Sequence, residues 1–131
     1  AAAVADYKAA SVEKLKIKKK DDELTLKLVK NKDILYELGK IKGDKILAGF
    51  CAETDNLSEN ALKKISKKNL DLIVANDVTM EGAGFGTDTN IIKILKSDGS
   101  GKDFPLMSKL EAAHRILDEI LEIIKVKKKI H

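Results

Sequence analysis

The sequence predicts an α/β protein with a three-layer, Rossmann-like fold: a mainly parallel sheet, then a C-terminal β-hairpin and helix. Three observations carry this. Apolar runs of strand length, at residues 45–53 and 70–75, alternate with segments whose apolar residues recur at helical spacing. The resulting order of strand, helix, strand, helix, strand implies right-handed crossovers and a parallel sheet. An Asp98-Gly99 pair between two short strand-like runs reads as a hairpin turn, and a long amphipathic segment follows it.

In order, residues 1–5 read as the end of a buried strand, small and uncharged, which Asp6 closes. Residues 7–22 are lysine-dense and without periodicity, and read as a mobile loop. Residues 23–30 alternate, with Leu24, Leu26 and Leu28 on one side and Thr25 and Lys27 on the other, as in a half-buried strand. Ile34, Leu35, Leu38 and Ile41 have helical spacing over residues 33–40, with Asn31 or Asp33 as cap and Gly43 as stop. The run at 45–53 is continuously apolar, as suits a central parallel strand. Asn56 and Glu59 have capping-box spacing and open a helix with Leu57, Ala61 and Ile65 inside. Residues 70–75 form a second buried strand, and residues 82–89 a loop. Residues 90–96 and 102–106 make the hairpin arms. Ser108 and Glu111 then cap a helix whose inner stripe is Leu110, Ala113, Leu117, Ile120 and Ile124, with a fraying basic tail at 125–131.

Composition bounds the function. In 131 residues, 44% are hydrophobic but only 4% aromatic, and Trp is absent. The core must therefore be aliphatic, and a chain of this size buries roughly two-thirds of its unfolded surface. A net charge of +4, from 25 basic and 21 acidic residues, suits anionic ligands without separating nucleotides from nucleic acids. One cysteine, Cys51, leaves no internal disulfide and fits a reducing cytosol. No apolar run approaches a membrane span and no signal peptide is visible, so a cytoplasmic location and no membrane partner are expected.

Several residues invite a chemical reading. Lys14, Lys16, Lys18, Lys19 and Lys20 crowd one loop. As composition this is a solvated charge run; as chemistry it is a flap whose ammonium groups close over phosphates. The helix beginning near Lys32 offers free N–H groups to an anion, as any helix does. Lys64 and Lys68 share one helix face and could straddle neighbouring phosphates, though a lysine-rich outer face is ordinary. Asp6 and Phe50 stand near the carboxyl ends of strands, where ligands of parallel sheets bind; a turn-forming Asp and a core Phe are the plain alternatives.

Six segments recur in one order: VADYKAAS (4–11), KIKK (16–19), KNKDI (30–34), GFCAET (49–54), KKISKKNLDLIVANDV (63–78) and GFGTDTN (84–90). In this set, from residue 1 to about 120, the chain resembles phosphopantothenate–cysteine ligase, the ligase domain of the bacterial bifunctional coenzyme A biosynthesis protein. Opening at Ala1 without an initiator Met, it reads as the C-terminal, nucleotide-binding portion (1–131) of that single domain, inactive alone. The resemblance implies that phosphopantothenate attacks the α-phosphate of CTP, with Mg2+, and that cysteine then forms the amide. It makes Lys16 catalytic. It makes Ala2, Asp6, Lys16, Phe50, Lys64 and Lys68 nucleotide-binding, with the main-chain turn of Lys32, Asp33, Ile34 and Leu35. It places Asn76 and Asp77 beside the site. It implies a homodimer, for which the hairpin at 90–106 is the expected contact, and flavin only if an upstream decarboxylase domain is fused.

Other signals are weaker. Gly82, Gly84 and Gly86 look like a dinucleotide fingerprint, but lead into a strand where that fingerprint opens a helix. Cys51 reads as a small core residue. His114 has no second ligand at metal spacing, so no metal site is expected. Two alternative classes stay open. A basic nucleic-acid-binding module has the lysines but few aromatics and only Arg115 as arginine. The other is a fragment of a dinucleotide-dependent oxidoreductase.

Overall fold

The computed structural model describes residues 4–11, 24–53, 57–77 and 87–130. The chain forms two compact units, residues 1–34 and 35–131. In the first, β1 (Tyr7–Ala9) pairs antiparallel with β2 (Leu28–Lys30), Tyr7 opposite Lys30 and Ala9 opposite Leu28. Asn31 ties the open end, donating its N–H to the Asp6 carbonyl at 2.8 Å and its Nδ2 to the Ala5 carbonyl at 2.7 Å. This corrects three expectations. The strand begins at Tyr7, where a loop was predicted, and Val4 and Ala5 lie outside it and exposed. The half-buried strand at 23–30 is strand only over its last three residues, and Leu24, Leu26 and Leu28 are exposed. Finally, β2 belongs to its own antiparallel pair and not to the parallel sheet. Among the described residues of its unit nothing covers this three-residue ladder, so there the Leu alternation is not spent on burial.

In the second unit, β3 (Ala48–Glu53) runs parallel to β4 (Leu72–Asp77), Ala48 opposite Leu72 and Glu53 opposite Asp77. The crossover between them is α2 (Leu57–Lys68). Next to β4 lies β6 (Ile92–Lys96), antiparallel, and beyond it β7 (Gly101–Asp103), so the order is β3-β4-β6-β7. Thr89–Asn90, β5, pairs apart with Met107–Ser108, β8. The sheet is thus mixed. β4 is central because residues 72–75 are all buried, while β3, expected at the centre, ends the order among the described strands.

Strand alternation sends side chains to two cores. Leu72 and Val74 of β4 join Ile92, Ile94, Met107 and Ala112, the last from α3 (Lys109–Ile130). Ile73 joins Ala61 and Ile65 of α2, Leu70 and Leu95 on the other face. The layers are therefore α2, sheet and α3, and the predicted α/β fold class holds. The first helix, α1 (Ile34–Ile41), falls where expected, and Gly43 at φ +54° turns the chain after it. Where α1 meets the end of α2, a Cβ on Gly39 would stand 2.0 Å from the Lys68 carbonyl oxygen. Asn69, at φ +52°, ends α2 and donates Nδ2 to the Gly39 carbonyl at 2.9 Å. The hairpin turns at Gly99, φ +85°, with Asp98 Oδ1 accepting the Ser100 N–H at 2.8 Å.

Ser108 Oγ accepts the Glu111 N–H at 3.1 Å and starts α3 as predicted. Two corrections follow. The tail is helical through Ile130, because Lys127 ion-pairs with Asp71 at 2.9 Å and Lys125 with Glu122 at 2.8 Å. The buried stripe is also turned from the predicted one: Ala112 and Glu119 are buried and Ile116, Ile120 and Ile123 pack behind them, while Leu110 and Leu117 are 71% and 60% exposed. Glu119 sits in that stripe because Lys96 and Lys102 neutralise it, each at 2.5 Å.

Candidate functional site

Where β3 and β4 reach their carboxyl ends, an open cavity of about 370 Å³ lies between the sheet and the first turns of α3. Alternate residues of the parallel pair face it, Phe50 and Ala52 from β3, Val74 and Asn76 from β4. Asn90 and Ile92 continue the floor, and Lys109, Ala112, Ala113 and Ile116 form the wall. Small residues at 112 and 113 stop α3 from filling the space. Phe50 is 68% exposed, so its ring lines the opening instead of the core.

Two oxygens mark this cavity. Asn76 Oδ1 and Asn90 Oδ1 are buried and, among the described residues, accept no hydrogen bond. A buried acceptor left unpaired keeps its desolvation cost, typically about 1–3 kcal/mol. Aliphatic walls, one aromatic ring, two such acceptors and the Lys109 ammonium suit a flat, donor-bearing group joined to an anion. Among the described residues, no group of three His, Cys, Asp or Glu side chains could hold a metal ion. No helix among them is long and apolar enough to cross a membrane.

The residues singled out by sequence fall in both units, and some lie outside the described residues. Ala2 and Lys16, with the rest of the lysine loop, lie outside the described residues. Asp6, Lys32, Asp33 and Ile34 belong to the first unit and are exposed; the Asp6 carbonyl holds Asn31. Leu35 is half-buried against the α2-side core, and Lys64 and Lys68 are half-buried on α2. Phe50 faces the α3 side, and among the described residues it and Asn76 are the ones read beforehand as at or beside the nucleotide site that line the cavity. Asn90 and Lys109 were missed. Asn76 carried a signal, an amide following the apolar run at 70–75; Asn90 stood at the start of a predicted hairpin arm, ending the GFGTDTN segment, and Lys109 was one surface lysine among many.

Known proteins add to this geometry. Residues 1–124 match the family described as "DNA/pantothenate metabolism flavoprotein C-terminal domain". The chain is 51% identical over 124 residues to the "Coenzyme A biosynthesis bifunctional protein CoaBC" of Bacillus subtilis (strain 168), covering 95% of this chain and 30% of that protein. It is 41% identical over 125 residues to a "Cysteine/Cysteine sulfinic acid decarboxylase" of an unknown prokaryotic organism, covering 95% of this chain and 35% of that protein. The crystal structure of the C-terminal domain of a coenzyme A biosynthesis bifunctional protein CoaBC superposes with TM-score 0.66 at 43% identity, over 75% of this chain and 47% of that one. The chain thus spans about a third of the length of these curated relatives. The comparisons correct the expectation of a CTP-dependent ligase. Their names carry a flavoprotein domain, a bifunctional protein of coenzyme A biosynthesis and a decarboxylase; joining phosphopantothenate to cysteine with CTP and Mg2+ is named in none of them, and that reading is withdrawn.

Proposed function

Since the chain belongs to the DNA/pantothenate metabolism flavoprotein C-terminal domain family, we propose that it serves a bifunctional protein of coenzyme A biosynthesis by binding a nucleotide in the cavity at the carboxyl ends of β3 and β4. The observation that carries this reading is the unpaired Asn76 Oδ1 on the wall of a cavity whose opening is the exposed Phe50 ring. A ring stacked on Phe50 can donate an N–H or O–H to Asn76, and Lys109 can face the phosphate. Flavin mononucleotide and a nucleoside triphosphate share this chemistry, a heterocycle with donors joined to phosphate. The family's flavoprotein name favours the first, and Lys109 suits either.

Separate calorimetric titrations with flavin mononucleotide and CTP distinguish the two sources. We expect saturable binding of one of them, weakened about tenfold by Phe50→Ala and by Asn76→Leu. Binding of neither, or binding that ignores both substitutions, overturns the assignment.

A further inference from the structure

The second unpaired oxygen points beyond general nucleotide binding. Asn90 lies on β5, opposite Met107, which is buried in the core and immediately precedes the Ser108 cap of α3. Its backbone is thus tied to β8 and leads directly into β6. It is two residues before Ile92, and Ile92 stands opposite Asn76 in the β4–β6 ladder. Both carboxamides line the same cavity, and both Oδ1 atoms are buried without a partner among the described residues.

Structural asparagines of this chain behave differently. Asn31 and Asn69 spend their carboxamides on main-chain carbonyls, at 2.7 and 2.9 Å, and thereby fix turns. The Asn90 oxygen closes no turn. An acceptor sheltered from bulk water and facing a cavity selects for a donor from whatever enters.

We propose that Asn90 is a specificity-determining residue of this cavity, accepting a hydrogen bond from an amino, ring N–H or hydroxyl group of the ligand, while Lys109 takes the anionic group of the same ligand at the rim. With Asn76 beside it, the cavity presents two acceptors and reads ligands that carry two neighbouring donors. This rests on the nucleotide reading above and names the groups that such a ligand must present.

The test measures dissociation constants of flavin mononucleotide, CTP, riboflavin and cytidine for the unaltered protein, Asn90→Leu, Asn90→Asp and Lys109→Gln. For the probe that binds, Asn90→Leu weakens binding about tenfold or more, and Asn90→Asp, which keeps an acceptor, returns most of that loss. Lys109→Gln weakens the phosphate-bearing probe and leaves its dephosphorylated partner unchanged. Asn90→Ala replaces the Leu variant should the latter not fold. Unaltered protein that binds a probe equally well with Leu, Ala or Asp at position 90 overturns the role of Asn90 and leaves the nucleotide reading standing. An Asp variant as weak as the Leu variant reduces Asn90 to a packing residue and likewise overturns it. Unaltered protein that binds no probe removes both readings.

Discussion

Replacing Asp71 by Asn strands two cations while nearly keeping the volume of the side chain. Asp71 is 5% exposed, and its carboxylate accepts the Leu47 N–H at 2.7 Å and the Lys42 and Lys127 ammonium groups at 2.9 Å each. Burial opposes its ionisation. The Leu47 N–H, then Lys127 and Lys42, outweigh that and hold the carboxyl below its ordinary value. Asparagine keeps an acceptor for Leu47 but removes the charge. Breaking a buried ion pair from one side costs about 3–5 kcal/mol. We take the lower end, about 3 kcal/mol, because Lys127 can turn to water and leaves Lys42 as the enclosed cation. With a urea slope of about 1.5 kcal/mol per M, the midpoint falls by about 2 M at pH 7. Asp71→Ala, which also orphans the Leu47 N–H, falls by about 1 kcal/mol more. The pH dependence has a definite sign. A carboxyl whose folded pKa lies below its unfolded one stabilises fully above the unfolded value of about 3.9 and loses this as pH falls through the folded value. The gap between the unaltered protein and the Asp71→Asn variant therefore closes in acid. A midpoint shift under about 0.3 M at pH 7, or a gap equally wide at about pH 7 and about pH 3, would refute the reasoning.

Other consequences follow from close contacts. Gly39→Ala sets a methyl group against the Lys68 carbonyl oxygen, so α1 and the end of α2 must part; despite alanine's better helix propensity we expect a loss of about 2 kcal/mol, read from thermal or urea unfolding. Ser108→Ala removes the acceptor for the Glu111 N–H and should cost about 1 kcal/mol in the same measurement, with Ser108→Asp restoring it.

The sequence was most legible where one face decides everything. Residues 70–75 read as a buried strand because a central strand is apolar on both sides, and β4 is that strand from Leu72 on. Ala61 and Ile65 showed the inner face of α2, and Asp98-Gly99 the hairpin, since a positive φ at the turn needs glycine. Legibility failed where burial depended on distant partners. The Leu24, Leu26, Leu28 alternation has the strand period but no covering layer among the described residues of its unit. The run at 45–53 resembled a central strand, yet Phe50 in its middle faces the cavity and stays exposed. At the site, periodicity shows that Asn76 ends a strand and not that its oxygen lacks a partner, a property of three elements at once.

The azimuth of α3 ties these threads together. Its sequence holds two apolar stripes less than one residue step, about 100°, apart. Hydrophobicity alone favours the one with Leu110 and Leu117, because the other contains Glu119. Two ionic clamps reverse that preference: Asp71 holds Lys127 near the helix end, and Lys96 and Lys102 hold Glu119 in its middle. Burial opposes ionisation of Glu119 as well, yet its lysine partners, Lys102 before Lys96, keep its carboxyl below the ordinary value. The helix therefore turns Ala112 and Ile116 to the sheet and leaves Leu110 in solvent. This is also the phase that puts Ala112 and Ala113, not leucines, on the cavity wall and sets Lys109 at its rim. In the other phase Leu110 and Leu117 would turn inward and occupy the space that a ligand needs. The charges at the far end of α3 thus keep the cavity open, from residues that never touch it.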